Sequence, residues 1–112
     1  MDILEKIKQA IIDRKPISFE YSKKDKIKGI RTGNPYVIFR LTSRLGEKST
    51  KVHIVQTGGV SDSKNKKPFP DFRMFNLEYI YNVTVLKNND SFVIDEKYNP
   101  FWEGYNDFII KV

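Results

Sequence analysis

Apolar positions in the first fourteen residues recur at helical spacing: Ile3, Ile7, Ala10 and Ile11, with Leu4 and Ile12 widening the stripe. Lys6, Lys8, Gln9 and Asp13 occupy the polar side. Asp2 followed by Glu5 has the form of an N-terminal capping box. Pro16 stops the element, because the residue before a proline avoids helical backbone. The pattern predicts one helix over roughly residues 2–14.

Beyond Pro16 the period changes to two. Ile17, Phe19 and Tyr21 alternate with Ser18 and Glu20, as in a half-buried strand. The lysine-rich stretch 22–29 reads as a hairpin connection, and a short return strand near 30–32 runs into Gly33-Asn34-Pro35. Tyr36 to Leu41 is β-branched and aromatic, Gly46 marks a turn, and Lys51 to Gln56 reads as the fourth strand. A long loop follows, from Thr57 to Asp71, holding Pro68 and Pro70. Phe72 to Leu77 and its continuation to Leu86 read as extended; the tail looks irregular before a last apolar piece, Phe108-Ile109-Ile110.

One capped helix and about five short strands spaced about ten residues apart predict a mainly β (α+β) fold. Its expected form is a small five-stranded β-barrel with an N-terminal α-helix and a C-terminal aromatic extension. No repeat or linker divides the chain, so residues 1–112 are expected to form one domain. Phe19, Phe39, Phe75 and Phe108 are expected in the core.

Composition removes options more than it adds them. The chain has 112 residues, no Cys and a single His, His53. Disulfide scaffolds, thiolate metal sites and cysteine nucleophiles are excluded. No apolar run approaches the roughly 18 residues of a membrane span. The N-terminus carries acids and no apolar h-region. The expectation is a cytoplasmic protein without membrane, metal or cofactor. Twenty Lys and Arg against fourteen Asp and Glu give a net charge of +6, which favours polyanionic partners. The lysine runs 23–28 and 64–67 read equally well as solubilising surface.

Catalytic patterns are weak. His53 has Ser49, Ser61 and Asp62 near it in sequence, yet no nucleophile elbow is present. The carboxylates Asp62, Asp71, Asp90, Asp95 and Glu96 read as turn formers. Leu45 to Thr50 echoes the end of a phosphate loop but lacks its upstream glycine. Gly58-Gly59 reads first as a sharp turn. What remains is a basic and aromatic set on or beside the strands: Arg31, Tyr36, Arg40, His53, Gln56, Arg73 and Tyr79. Arginine forks match phosphate geometry, and tyrosine faces stack on bases.

The order of these elements resembles a WYL domain. The helix ending Gln9 to Lys15, followed by the strand Pro16 to Tyr21, is similar to that family's opening. Arg31 four residues before Pro35 resembles its Arg-x-x-x-Pro step. Arg73-Met74-Phe75-Asn76-Leu77-Glu78-Tyr79-Ile80 is similar to its Arg-x-Phe-x-Leu-Asp-Arg-Ile signature. Val52 to Ser61 resembles a variant in which an apolar strand runs into Gln and a Gly-Gly-x-Ser loop. The resemblance covers about residues 3–86, leaving 87–112 as a C-terminal extension. Two departures stand out: Val52-His53-Ile54 lies where the eponymous Trp-Tyr-Leu would be, and Tyr79 replaces the second Arg of the late signature.

The resemblance implies an Sm-like barrel acting as a non-enzymatic ligand sensor in transcriptional or defence regulation. Its ligand would be single-stranded nucleic acid or a nucleotide. The chain begins just before the barrel's own helix, so a stand-alone module without the usual winged-helix domain is expected. In this reading Arg31 and Arg73 hold phosphate, His53 and Gln56 contact base or sugar, and Tyr36 or Tyr79 stacks. The alternative is a protein-interaction or dimerisation module. It would use a barrel edge or the aromatic tail Phe101, Trp102, Tyr105 and Phe108.

Overall fold

A computed structural model describes residues 2–24, 26–60 and 70–112. Helix α1 spans Ile3–Asp13. Asp2 caps its start, accepting from the Glu5 amide at 2.8 Å. Its end is set before Pro16 is reached: Arg14 turns left-handed at φ 52°. The Lys15 amide then closes back on the Ala10 carbonyl at 2.8 Å, satisfying an otherwise orphaned acceptor. Ile7, Ala10 and Ile11 are buried, whereas Ile12, expected to widen the apolar stripe, is 57% exposed.

Six antiparallel strands form one sheet. They are β1 (Ile17–Tyr21), β2 (Ile30–Thr42), β3 (Lys48–Gly59), β4 (Asp71–Asn76), β5 (Ile80–Val85) and β6 (Phe108–Lys111). The order is β4-β3-β2-β1-β5, with β6 also paired to β2. A single 3-10 turn, Leu77–Tyr79, joins β4 to β5. These two are the outer strands, and no ladder joins them among the described residues, so the sheet is open.

Two expected breaks are absent. Gly33-Asn34-Pro35 does not end a strand but lies inside β2, flanked by register shifts against β3. A Cβ on Gly33 would lie 2.6 Å from Ile54 Cγ2 and 2.8 Å from the Val55 carbonyl oxygen, so the two backbones approach where only glycine fits. Strand β3, expected as a fourth strand ending at Gln56, also continues to Gly59. Continuity of β2 lets one edge serve two partners: its first half pairs with β1, its second with β6. The last apolar piece of the chain is therefore a sixth strand. Residues 61–69, which hold Ser61, Asp62 and the second lysine run, lie outside the described residues.

Each face of the sheet has its own core. On one, α1 packs Ile7, Ala10 and Ile11 against Ile17, Phe19, Val52, Ile54 and Phe75. On the other, residues of the C-terminal extension, Phe92 and Tyr105, cover Tyr36, Val37, Phe39 and Val55. An antiparallel sheet can leave one face wet; here both are covered. Phe19, Phe39 and Phe75 are core as expected, but Phe108 is 47% exposed.

Gly59 and Gly46 separate two costs of adding a side chain. Both have positive φ, 88° and 82°. A Cβ on Gly59 would strike the Ile30 carbonyl, whereas one on Gly46 meets nothing within 4 Å. Gly46→Ala should cost about 1 kcal/mol from backbone strain alone. Gly59→Ala should cost on the order of 3 kcal/mol or more. Urea denaturation of both variants checks this, and equal costs would refute the crowding argument.

Candidate anion-binding cleft

Tyr21 ends β1 and Phe75 sits near the end of β4; their rings meet edge-on at 4.9 Å. Over them lies the side chain of Arg31, fully buried, with its guanidinium carbon 5.9 Å from the Tyr21 ring centroid and 5.6 Å from that of Phe75. One of its amino groups donates to the Ile27 carbonyl at 3.1 Å. A guanidinium tolerates such burial better than an ammonium because it is more weakly hydrated and spreads its charge over a plane.

A cleft of about 460 Å³ opens here, between β4 and the 22–29 connection. Five cations line it: Arg31, Arg73, Lys23, Lys26 and Lys51. Among the described residues no carboxylate lines it. Arg73 reaches it from β4. Its Nε pairs with Asp71 at 3.4 Å, and its Nη1 donates to Gln56 Oε1 at 3.4 Å. Lys51 donates to Asn76 Oδ1 on the neighbouring strand. Burial, and then the charge of Lys23, hold the Lys51 ammonium below its ordinary range, with Glu78 opposing. Like charges gathered at a partly dry site repel one another, and an arriving anion would relieve that repulsion.

The expected ligand set divides between the two faces. Arg31 and Arg73 converge on the cleft. Gln56 stands behind it, fully buried: its amide donates to the Gly58 and Val60 carbonyls at 3.0 and 2.7 Å, and its oxygen accepts from Arg73. Gln56 therefore positions Arg73 and holds the glycine turn, and no part of it is open to a base or sugar. Tyr79 is half-buried beside Tyr21, edge-on at 6.2 Å, next to the cleft. Arg40 is exposed and pairs with Asp107 at 3.6 Å, away from this site.

Tyr36 and His53 belong to the other face. Tyr36 is 1% exposed and stacked on Phe92 at 5.2 Å, and its hydroxyl accepts from the Asp95 amide at 2.7 Å. It cannot stack a base while the extension is docked. His53 lies between Val52 and Ile54, both turned to the helix side, so the strand period turns it the opposite way. There Trp102 stacks on its ring at 5.6 Å, and Nδ1 hydrogen-bonds the Tyr105 hydroxyl. Burial pushes the Tyr105 hydroxyl up to about 12. The alternation of Val52 and Ile54 was the sequence signal that separates His53 from Arg73. The lysines carry no such signal, since a run of cations does not show which of them converge.

Burial lowers the His53 pKa from its ordinary 6.5. The unfolded chain then takes up the proton more readily than the folded one. The stability due to the neutral ring is complete above 6.5 and is lost as pH falls from there toward the lower folded value. The melting temperature should therefore fall on acidification from about pH 7 to about pH 5, and His53→Gln should flatten that segment of the curve. Parallel curves for the two proteins would rule this out. Comparison with family models, curated proteins and solved structures finds no match to this chain.

Proposed function

We propose that this chain is a non-enzymatic ligand-sensing module that takes a phosphate-bearing ligand, single-stranded nucleic acid or a nucleotide, into the cleft of Arg31 and Arg73. The carrying observation is that two arginines from different strands meet with three lysines in one cleft that no acid lines among the described residues. The resemblance to the WYL family adds support, because both arginines stand at motif positions, and it favours an Sm-like barrel as the framework. In this reading Arg73 and Lys51 contact phosphate, Arg31 supplies a fixed buried charge beneath them, and Tyr79 at the margin offers a ring to a base. His53 and Tyr36 have no part in binding. The site acts by holding charge in place, not by chemistry.

The interaction-module reading keeps part of the aromatic tail. Tyr105 is buried against the sheet and Trp102 lies on His53 while 39% exposed, and Phe101 and Phe108 are 87% and 47% exposed.

Fluorescence anisotropy with a labelled single-stranded oligonucleotide, at two salt concentrations, tests the proposal. Affinity should fall with salt, with a slope of roughly −0.7 in log K per log salt for each phosphate neutralised. Arg73→Gln and Lys51→Gln should each weaken binding about tenfold and make the slope shallower, the loss expected for one charge-assisted contact. Arg31 is unsuitable for this purpose because its buried charge also supports the fold. Absence of binding at micromolar protein, or binding that ignores both substitutions, would overturn the assignment.

A further inference from the structure

A second groove lies between α1 and β5, sharing no residue with the cleft. It measures about 630 Å³. Val83 and Val85 of β5 give it an aliphatic floor, and Lys6 of α1 stands on one wall. Lys15 and Lys87 stand at its end. Its one carboxylate, Asp13, is engaged by Gln9 Nε2 at 3.0 Å. β5 is the last strand in the sheet order, with β1 as its sole ladder partner among the described residues. Its Val83 carbonyl receives Lys6 Nζ at 3.4 Å. Lys15 Nζ likewise donates to the Asn89 carbonyl. An ammonium carries three donors, so both lysines keep capacity for a further acceptor.

We propose that this groove docks an extended acidic segment of a partner protein, laid alongside β5. Three features select that occupant together. An outer strand offers backbone groups that another strand can pair. An aliphatic floor takes every second side chain of such a strand. Three lysines against one engaged carboxylate favour Asp or Glu at the flanking positions. Other occupants satisfy fewer of these. A fatty acid fills the floor but leaves the strand edge unpaired. Single-stranded nucleic acid finds no aromatic ring among the residues lining the groove. A second copy brings another chain of charge +6.

The probe is a short fluorescent peptide alternating Glu with Val, set against a counterpart with Lys in place of every Glu. The acidic peptide should bind with Kd of about 10–100 μM, the range of a short strand-addition contact. Chemical shift changes should centre on residues 83–87 and on α1. The exposed-side variant Lys15→Glu/Lys87→Glu should weaken binding at least tenfold, while Arg73→Gln leaves it unchanged. Because Arg73→Gln reports on the cleft alone, failure here and failure of the nucleic-acid reading are distinguishable. The proposal is overturned if the acidic peptide does not bind at 100 μM. Equal binding of the lysine peptide overturns it, as does loss of binding in Arg73→Gln. Oleate displacing the peptide, or shifts at these residues caused by self-association alone, would assign the groove to another occupant.

Discussion

Strand β2 must stay continuous for thirteen residues through two register shifts against β3, and the rest of the structure hangs on that. It runs through Gly33 and Pro35, two residues that weaken a strand: one has no side chain to pack and the other no amide to donate. Register shifts against β3 on either side absorb both defects. At Gly33 the missing side chain is what permits the close approach of β3, since Ile54 and Val55 occupy the space a Cβ would need. One edge of β2 is divided there between β1 and β6. Were the strand to break there, β6 would lose its partner and the extension its anchor.

The same crowding accounts for where charge is buried. Arg31 stands two residues before Gly33, paired across β2 and β3 with Gly59. A buried cation is costly unless its donors are met and its charge is shared. The Ile27 carbonyl and two aromatic faces supply part of that compensation. Lysine at this position would concentrate the charge on one strongly hydrated nitrogen and lose the planar contact with the rings. Lys51 illustrates the difference: partly buried among other cations, it is held below its ordinary pKa. Of the five arginines, Arg14, Arg40 and Arg44 are exposed, and Arg31 and Arg73 occupy sites where a cation must be both dry and oriented.

Much of this was legible in the sequence, and the gaps have causes. The helix, its cap and the period-two strands follow from local pattern, and so did the membership of Phe19, Phe39 and Phe75 in the core. The strand ends failed at Gly33 and Gln56, where local signals for a turn were overridden by pairing with a neighbouring strand. Ile12 and Phe108 were expected to be buried because they are large and apolar, but burial depends on what an element packs against, which the pattern does not contain. Arg31 and Arg73, singled out from the sequence, both line the cleft. Gln56, expected to contact base or sugar, is instead buried and hydrogen-bonded to Gly58 and Val60, because that turn forms only in three dimensions. Lys23 and Lys26 stand out only as members of a lysine run and Lys51 not at all, because convergence of flexible side chains leaves no spacing to read.

The separation of His53 from the cleft bears on what the extension does. Residues 87–112 lie beyond the span that resembles the WYL family, and sequence alone treats them as an addition. Yet the second face of the sheet carries Tyr36, Val37, Phe39 and Val55, and Phe92 and Tyr105 of the extension are what bury it. Tyr36 contributes its ring to Phe92 and its hydroxyl to the Asp95 amide. His53 does the same with Trp102 and Tyr105. The aromatic rings of Tyr36 and His53 on that face thus each have partners past residue 86. A chain ending there would expose an aromatic face and lose β6 from β2. The motif boundary and the folding boundary are different things in this protein: the cationic cleft is lined by residues between Tyr21 and Asn76, but the strands that carry it need the extension to be covered.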